Sequence, residues 1–399
     1  MSIPIPLDRA FALIREHTPL APIVRVPLLD SLGQYLAEDI PADRDLPPFD
    51  RSTVDGYALI SSDTKTAPGI LDVIEDVPAG KSPTQALKPG QAIRIMTGAP
   101  LPRGADAVIM QERTDVPAPG QVRFQMTLRS GQNMSARGED ARTGQAVLTS
   151  GMRIGAAEIG ILATVGCVNV PVRRTPNAAI LGTGDEIVEP SEKPGAAQIR
   201  NSNSYQLLAQ CAEAGWSARY LGIARDERDE TRRLVAAGLE AELFISTGGV
   251  SVGDRDHVGT TLRELGVDIR FDKVAVKPGK PTTFGVRNGT LVFGLPGNPV
   301  AALVCFHLFV KTAVRCRCGA RDPLPRAQPL PLFASLKSSG DRPTFRPCKF
   351  VTRNGVAGVA PIEWHGSGHL AALAGADGLF LQAPDAVIAD GETVDCYPF

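Results

Sequence analysis

The amino-acid sequence predicts a multidomain α/β plus β protein with a doubly wound α/β domain at its centre. Two observations carry this prediction. Strand-like apolar runs alternate with helix-length segments over residues 173–321, and short β-rich runs broken by Pro and Gly fill residues 44–140. Such alternation is typical of a mostly parallel sheet with helices on both faces. With 399 residues, the chain is long enough for roughly two to four domains.

Helical patterns flank the β-rich stretch. Residues 7–16 (LDRAFALIRE) place apolar side chains at helical spacing, with Asp8 as a candidate cap, and residues 28–38 continue in the same style. The pattern returns after residue 140 with GMRIGAAEIGILATVG. We therefore expect residues 1–43 and 141–172 to form one discontinuous, mainly helical domain, with 44–140 inserted as a β-rich domain.

Polar and acidic residues follow the predicted strands of the α/β domain. In sheets of this kind, ligands bind at the carboxyl ends of the strands, so we expect these residues to converge on one edge. They are Thr183, Gly184, Asp185, Glu186, Asp226 and the run from Thr247 to Asp256.

The stretch from Leu243 to Pro299 has the strongest chemical signal. An apolar run is followed by Thr247-Gly248-Gly249, and Gly-rich turns after strands expose backbone N–H groups that suit phosphate and other oxyanions. Acidic residues in the same turn suit Mg²⁺, which takes oxygen ligands. The lysines that follow can act as point charges on phosphate. They are Lys273, Lys277 and Lys280. Each feature alone is also explained by ordinary turns and a solvated lysine face.

A Pro-rich linker at 322–331 precedes the last predicted domain. Residues 327–399 contain short strands and turns, which predicts a small C-terminal β-barrel-like domain. Arg346 is a candidate anion ligand or an edge-strand charge, and Ser367 is a candidate anion-turn residue or a loop cap.

The composition argues against several function classes. The formal net charge of −1 leaves no electrostatic footprint for nucleic acid. We expect no membrane span, because no apolar run reaches that length, and the N-terminus lacks a signal-peptide pattern, so the cytoplasm is the expected compartment. The seven scattered cysteines predict free thiols rather than a disulfide framework or a zinc site.

Six motifs occur in an order that identifies a family resemblance. They are PPFDRSTVDGYA at 47–58, IMTGAPLPRGADAV at 95–108, GQNMSARGED at 131–140, LGTGDEIV at 181–188, the stretch beginning LFISTGGVSVGDRD at 243, and HGSGHLAALAGADGL at 365–379. With these motifs the chain resembles the molybdopterin molybdotransferase family, which includes the bacterial MoeA proteins and the E domain of gephyrin.

The resemblance implies insertion of molybdenum from molybdate into adenylyl-molybdopterin, with release of AMP, by a homodimer whose site lies between subunits. It implies Mg²⁺ as cofactor, and the molybdopterin adenylyltransferase and molybdoenzyme chaperones as possible protein partners. The implied catalytic residues are Asp55, Thr97, Asp140, Glu186, Asp226, Asp256, Lys273 and Lys277, of which Glu186, Asp226 and Asp256 are the metal ligands. The implied substrate-binding residues are Thr183, Gly184, Asp185, Gly248, Gly249, Ser251, Lys280, Pro296, Pro299, Arg346 and Ser367.

Two departures from the family pattern keep alternatives open. Val54 stands where the family commonly has Met, and Ser135 where it commonly has Arg, which puts a contact to substrate phosphate in doubt. The alternatives are a non-catalytic molybdopterin-binding carrier or scaffold, a specialised paralogue, and an enzyme of the competence-damage family that shares only the α/β domain. The last would leave VDGYA and IMTGAP unexplained.

Overall fold

The computed structural model describes residues 3–78, 80–249, 257–338 and 340–399. The chain divides into two compact units. The first unit contains Met1–Glu38, Ser150–Gly155 and Val170–Phe399, and the second contains Asp39–Thr149 and Ala156–Asn169. The finer partition into four domains stays a prediction.

The described α-helices, in chain order, are α1 (Leu7–His17), α2 (Ala156–Thr164), α3 (Ser202–Glu213), α4 (Arg228–Gly238), α5 (His257–Glu264), α6 (Pro299–Cys305) and α7 (Lys311–Arg317). A π-helical turn, Phe306–Val310, joins α6 to α7, and short 3₁₀ turns lie at Leu29–Ser31, Ser61–Thr64, Gln111–Arg113 and Leu370–Leu373.

The described strands are β1 (Ile23–Pro27), β2 (Tyr35–Leu36), β3 (Ile40–Pro41), β4 (Arg51–Ser52), β5 (Gly56–Leu59), β6 (Gly69–Val77), β7 (Gln91–Ile95), β8 (Ala107–Met110), β9 (Thr114–Asp115), β10 (Gln121–Phe124), β11 (Met134–Ser135), β12 (Ala146–Leu148), β13 (Asn169–Arg173), β14 (Ala178–Thr183), β15 (Ile187–Val188), β16 (Ile199–Arg200), β17 (Ala218–Ala224), β18 (Leu243–Thr247), β19 (Asp268–Phe271), β20 (Thr283–Arg287), β21 (Thr290–Leu295), β22 (Gln328–Pro331), β23 (Thr344–Arg353), β24 (Val356–Pro361), β25 (Gly378–Gln382) and β26 (Thr393–Pro398).

The first unit is built around a six-stranded sheet with the order β17-β14-β18-β21-β20-β19. Its first four strands are parallel, and β20 and β19 are antiparallel additions at one end. Helices α3, α4 and α5 alternate with its strands, as the helix-length segments within residues 173–321 predict. The predicted mostly parallel, doubly wound domain is therefore present.

Alternation along the buried strands explains why helices cover both faces of this sheet. Ile180 and Ile245 belong to one apolar cluster, whereas their chain neighbours Leu181 and Phe244 belong to another on the opposite face. Successive side chains of a strand point to opposite faces, so two covered faces require continuous apolar runs such as AAILGT and LFIST.

The helical run Pro299–Arg317 corrects the expectation that no segment reaches the length of a membrane span. Among the described residues it is the one helix long and apolar enough to cross a membrane, and 78% of its apolar window is buried inside the protein. Phe306 and Phe309 have no exposed surface and pack in the largest apolar cluster of the first unit. The burial is that of a core helix.

Two local helix expectations near the N-terminus are wrong. Residues 28–38 form a 3₁₀ turn and the short strand β2, with Leu29 and Leu32 exposed. Asp8 does not cap α1, because Pro6 occupies the N-cap position and no side-chain cap bond forms. Strand β2 instead joins a three-stranded sheet with the order β1-β13-β2.

The C-terminal part of the first unit is a five-stranded antiparallel sheet with the order β22-β26-β25-β23-β24. Its buried face carries Leu332, Val359 and Phe380, together with Cys348 and Cys396. All seven cysteines are free, as predicted. This sheet is the predicted C-terminal β structure.

The second unit is mainly β-structure, as predicted for the inserted domain. Six strands form a sheet with the order β8-β5-β7-β6-β10-β9, and the pairs β11-β4 and β12-β3 form two smaller sheets. Tyr57 and Leu59 face one apolar cluster, and Ala58 between them faces another. Helix α2 is the described α-helix of this unit.

Candidate functional site

The carboxyl ends of three parallel strands meet at one edge of the central sheet. The Thr183 hydroxyl, at the end of β14, donates a hydrogen bond to the Thr247 carbonyl at the end of β18 (3.3 Å). The Gly248 N–H donates to the Leu295 carbonyl at the end of β21 (3.2 Å). Both threonines are buried. In the described part of the chain, the predicted convergence of Thr183 and Gly184 with the turn that begins at Thr247 is therefore present. Pro296, predicted separately as a substrate-binding residue, follows β21 at the same edge.

Only glycine fits the turn that follows β18. Gly248 and Gly249 have φ angles of +86° and +60°. A Cβ atom on Gly248 would lie 2.5 Å from the Thr183 carbonyl oxygen, and one on Gly249 would lie 2.7 Å from the Thr183 hydroxyl. Positive φ and close backbone approach are the two conditions that glycine alone meets. The turn is thus closely packed on β14.

Asn203, which the sequence analysis did not select, holds two of these loops together. Its side-chain amide donates to the Thr247 hydroxyl (2.9 Å) and to the Gly297 carbonyl (2.7 Å). The run Asn201-Ser202-Asn203 suggests helix capping from sequence, and Asn201 is indeed the cap, accepting from the Ser204 N–H at 3.1 Å. Asn203 performs a second task, and it is only 8% exposed.

The loop after β21 brings Ser367 to the same edge. Pro296 accepts a hydrogen bond from the Thr247 hydroxyl (3.2 Å), and Pro299 occupies the first turn of α6. The Asn298 side chain donates to the Ser367 hydroxyl at 2.6 Å, and the Val300 N–H donates to the Ser367 carbonyl at 3.1 Å. The sequence analysis missed Asn298, which pairs with a residue 69 positions away.

Three predicted acidic residues lie beside the ends of β14 and β17. The Asp226 N–H donates to the Asp185 carboxylate (3.1 Å), so these two loops are in contact. Glu186 folds back over Gly184, where an added Cβ atom would lie 2.3 Å from the Glu186 carboxylate. All three acidic side chains are exposed. Arg225 fixes the first loop by donating to the Ile187 carbonyl (2.8 Å).

The oxygen atoms of these carboxylates are ligands of the type that a hard divalent cation prefers. Mg²⁺ is held by one or two carboxylates together with substrate phosphates, and Glu186 and Asp226 supply exposed oxygen donors. Within the described ranges no group of three or more His, Cys, Asp or Glu residues is arranged to hold a metal. The third predicted ligand, Asp256, and the predicted substrate residue Ser251 lie outside the described residues.

The predicted lysines lie on a loop that is fixed by its backbone. The Val274 N–H donates to the Lys280 carbonyl (2.9 Å), and the Lys277 carbonyl accepts from the Phe345 N–H (2.8 Å). Lys277 and Lys280 are exposed, and Lys273 is half-buried. The backbone pairing thus joins the lysine loop to strand β23 of the C-terminal sheet.

Arg346 lies on that strand and has a defined partner. Its Nε donates to the Gln382 side-chain oxygen at 2.9 Å, and Gln382 is fully buried. Burial lowers the pKa of the Arg346 guanidinium. This hydrogen bond anchors Arg346 within the C-terminal sheet.

In the second unit, Asp55 and Thr97 form a pair. The Thr97 N–H and hydroxyl each donate to one Asp55 carboxylate oxygen at 2.7 Å. These bonds, the backbone one first, hold the pKa of Asp55 below its usual value. Asp140, also predicted, is exposed, and its N–H donates to the Leu46 carbonyl (2.9 Å).

The neighbourhood of Ser135 bears on the unusual residue at that position. Ser135 is 8% exposed and pairs with Arg51 across β11 and β4. The family commonly has Arg at the position of Ser135, and the nearby Arg137 could supply a guanidinium in its place. Arg137 donates from Nε to the Asp45 carboxylate (2.6 Å). One donor of Arg137 is therefore already engaged within the second unit.

The fold and the edge of the central sheet define an enzyme class. Three family profiles match the chain in order: the MoeA N-terminal region (domain I and II) at residues 5–166, a probable molybdopterin binding domain at 179–315, and the MoeA C-terminal region (domain IV) at 329–399. The molybdopterin-binding profile covers the three strand ends described above. The chain is thus a transferase of molybdenum cofactor biosynthesis.

Similar proteins with curated names give the same answer. A Bacillus subtilis (strain 168) protein named molybdopterin molybdenumtransferase is 42% identical over 320 residues, which cover 78% of this chain and 74% of that protein. A Staphylococcus aureus (strain Mu50 / ATCC 700699) protein of the same name is 34% identical over 379 residues, 94% of this chain and 90% of that one. The crystal structure of the molybdopterin biosynthesis MoeA protein from Pyrococcus horikoshii OT3 covers 100% of both chains at 30% identity, with a TM-score of 0.84. The chain belongs to the MoeA family of molybdopterin molybdenumtransferases, which confirms the resemblance found in its sequence.

Proposed function

We propose that this chain inserts molybdenum from molybdate into adenylyl-molybdopterin and releases AMP. The observation that carries the proposal is the meeting of three strand ends through Thr183, Thr247 and Asn203 at the edge covered by the molybdopterin-binding profile. Ligands of parallel sheets bind at this edge. The same edge carries the glycine turn, which suits phosphate, and the carboxylates, which suit a divalent cation.

Each predicted group has a chemical task in this reaction. Molybdate is a dianion, and Lys273 and Lys277 are cationic hosts for it, with Lys280 beside them on the fixed loop. Thr183, Gly184, Gly248 and Gly249 shape the surface that faces the substrate, because the Thr183 hydroxyl and the Gly184 and Gly248 N–H groups hold the strand ends together. Pro296 and Pro299 fix the turn that carries Asn298 and Ser367, and Asn298 orients the Ser367 hydroxyl.

The adenylyl bond of the substrate is a phosphoanhydride. In its hydrolysis a water oxygen attacks one of the two phosphorus atoms and gives a proton to a nearby carboxylate. The bond from that phosphorus to the bridging oxygen breaks, the bridging oxygen stays with the other phosphate, and AMP is released. Mg²⁺ held by Glu186, Asp226 and Asp256 would neutralise negative charge on the two phosphates. Asp185 positions the Asp226 loop through the backbone hydrogen bond described above.

Asp55, Thr97 and Asp140 are proposed to complete the site of the partner subunit in a homodimer. The pairing of Asp55 with Thr97 supports this, because it leaves a rigid, ionised carboxylate on a turn of the second unit. The proposed compartment is the cytoplasm, where the molybdopterin adenylyltransferase would supply substrate and molybdoenzyme chaperones would accept product.

Cofactor transfer tests the proposal. The purified protein is incubated with adenylyl-molybdopterin, Mg²⁺ and molybdate, and the product is passed to a molybdenum-free molybdoenzyme whose activity is then measured. Reconstitution that requires both molybdate and this chain supports the transferase. Reconstitution that is equal without the chain contradicts it. Omission of Mg²⁺ tests the metal proposal separately.

A further inference from the structure

A cavity of about 730 Å³ lies in the first unit, and none of its described lining residues belongs to the candidate site. Its walls come from the segments around Tyr35 and Arg153, the end of α3, helix α7 and the last residues of the chain. His307 and Trp216 form buried parts of its lining, with 6% and 9% exposure. His307 lies in the π-helical turn between α6 and α7, a distortion that often accompanies functional sites.

Cationic side chains outnumber carboxylates in this lining. The five cations are Arg153, Lys311, Arg315, Arg321 and Arg326, and the two carboxylates are Glu213 and Asp322. Asp322 is engaged by Arg326 at 2.6 Å. The described lining side chains therefore carry a net positive charge.

Lys311 is a half-buried cation of this lining, and Glu213 is its favourable electrostatic partner. The Lys311 amine is half-buried and lies 3.5 Å from His307 Nδ1. Burial, followed by the charge of Arg315, lowers the pKa of Lys311. Burial also lowers the pKa of His307 to about 3, so this imidazole is neutral. Within the described part of the chain no carboxylate lies within salt-bridge distance of Lys311, and Glu213 acts on its partly buried charge from further away, which leaves that charge incompletely compensated.

We propose that this cavity binds a small, multiply charged anion of the phosphate class. Lys311 and Arg315 are four residues apart on one helix, so their side chains lie on one face. An Arg guanidinium binds phosphate oxygens in a fork, and a Lys ammonium binds them as a point charge. A solvated lysine face would leave the Lys311 amine exposed, whereas here it is half-buried and lines a partly open, cationic cavity. Anion binding in this cavity does not depend on the proposed function.

The two tryptophans of the chain allow the cavity and the candidate site to be measured separately. Trp216 lines the cavity, and the Trp364 indole donates to the Gly366 carbonyl, next to Ser367. In Trp364→Phe, fluorescence reports the cavity, and in Trp216→Phe it reports the candidate site. We expect inorganic pyrophosphate, at physiological ionic strength, to cause a saturable change in Trp364→Phe. Absence of that change overturns the proposal, as does a change seen only in Trp216→Phe.

Charge-removing variants then test the assigned ligands in the Trp364→Phe background. Lys311→Met and Arg315→Gln should each weaken pyrophosphate binding about tenfold, as expected for loss of one charge-assisted hydrogen bond. Lys349→Met removes an exposed lysine from strand β23 outside the cavity and should leave the affinity unchanged. Equal affinity in all three variants overturns the assignment. Turnover of the Lys311→Met enzyme without pyrophosphate should match the parent, which separates anion binding from the proposed reaction.

Discussion

One carboxylate oxygen of Asp55 accepts two hydrogen bonds from Thr97, from the backbone N–H and from the hydroxyl, each 2.7 Å long. The two residues are 42 positions apart and lie within two different motifs of the second unit, PPFDRSTVDGYA and IMTGAPLPRGADAV. Such a double acceptor is held in one orientation and stays ionised, because both bonds favour the charged form. The charge and the orientation of Asp55 are therefore both set by Thr97.

Asp55→Asn tests whether the charge of this carboxylate is used. The amide oxygen can still accept both bonds from Thr97, so the turn should persist while the charge is lost. We expect AMP release to fall about a hundredfold, a size typical of losing a proton-transfer or charge-stabilising group, with little change in melting temperature.

The matched control for Asp55→Asn is Asp106→Asn. Asp106 in the same unit accepts from the Ser61 N–H (2.6 Å) and the Ser61 hydroxyl (2.7 Å), yet is not part of the proposed site. Asp106→Asn should leave turnover unchanged. Equal loss in both variants would show that Asp55 matters only for folding.

Asn203→Ala should separate the two loops that Asn203 joins. It leaves the Thr247 hydroxyl and the Gly297 carbonyl without this partner, which costs about 1–3 kcal/mol of stability when the groups are buried. Because both loops belong to the proposed substrate site, we expect KM for adenylyl-molybdopterin to rise more than kcat falls.

Asn201→Ala is the control for that substitution. It removes the helix cap of α3 and costs about 1 kcal/mol, without touching Thr247 or Gly297. Denaturant unfolding and steady-state kinetics on both variants distinguish a positioning role from general destabilisation. A similar rise in KM in both variants would contradict the positioning role.

Gly248→Ala should lower the free energy of unfolding by more than the strain of its backbone angle alone explains. A residue with a side chain at φ +86° is strained by about 1–2 kcal/mol, and here the new Cβ atom would also lie 2.5 Å from the Thr183 carbonyl. Gly215→Ala is matched in angle, with φ +76°, but its Cβ atom would meet nothing within 4 Å. We expect the difference between their unfolding free energies to report the clash. Equal losses would contradict the close packing of the turn on β14.

The acid stability of the second unit should depend on Asp45. Asp45 accepts from the Thr143 N–H and hydroxyl, each at 2.9 Å, and from Arg137 Nε at 2.6 Å. These bonds, that from the Thr143 backbone first, lower the pKa of Asp45 from 3.8 to about 2. A depressed folded-state pKa contributes stability above the unfolded value, and this stability is lost as pH falls from about 4 towards 2.

Urea titrations between pH 5 and 2 (roughly the window set by those two pKa values) measure this effect. The wild-type midpoint should fall more steeply with decreasing pH than the midpoint of Asp45→Asn. Parallel pH profiles would show that the three hydrogen bonds do not persist in solution.

The central domain was predictable because its strands are read from local composition. The runs AAIL in β14 and LFI in β18 are apolar at successive positions, which is typical of a strand buried on both faces. The acidic and glycine residues after them then fall at one edge for topological reasons. Thr183 and Gly248 could thus be selected from the amino-acid sequence alone.

Contacts between distant segments could not be predicted in this way. Asn203 binds a carbonyl 94 residues further along the chain, and nothing in its local sequence differs from an ordinary helix start. The helix predicted for residues 28–38 is absent because here the local pattern indicates a structure that does not form. The leucines of this segment have helical spacing, but Gly33 adopts φ +79° and Leu29 is 75% exposed, so tertiary structure overrides the local signal.

AMP release with and without molybdate tests the central claim most directly. The purified protein, adenylyl-molybdopterin and Mg²⁺ are mixed, and AMP is followed over many turnovers. If the chain is a molybdenumtransferase, we expect rapid AMP release that requires molybdate and is abolished in Asp226→Ala. Tight binding of adenylyl-molybdopterin without molybdate-dependent release would contradict the account and indicate a carrier or scaffold, and Ser135→Arg would then be the first substitution to examine.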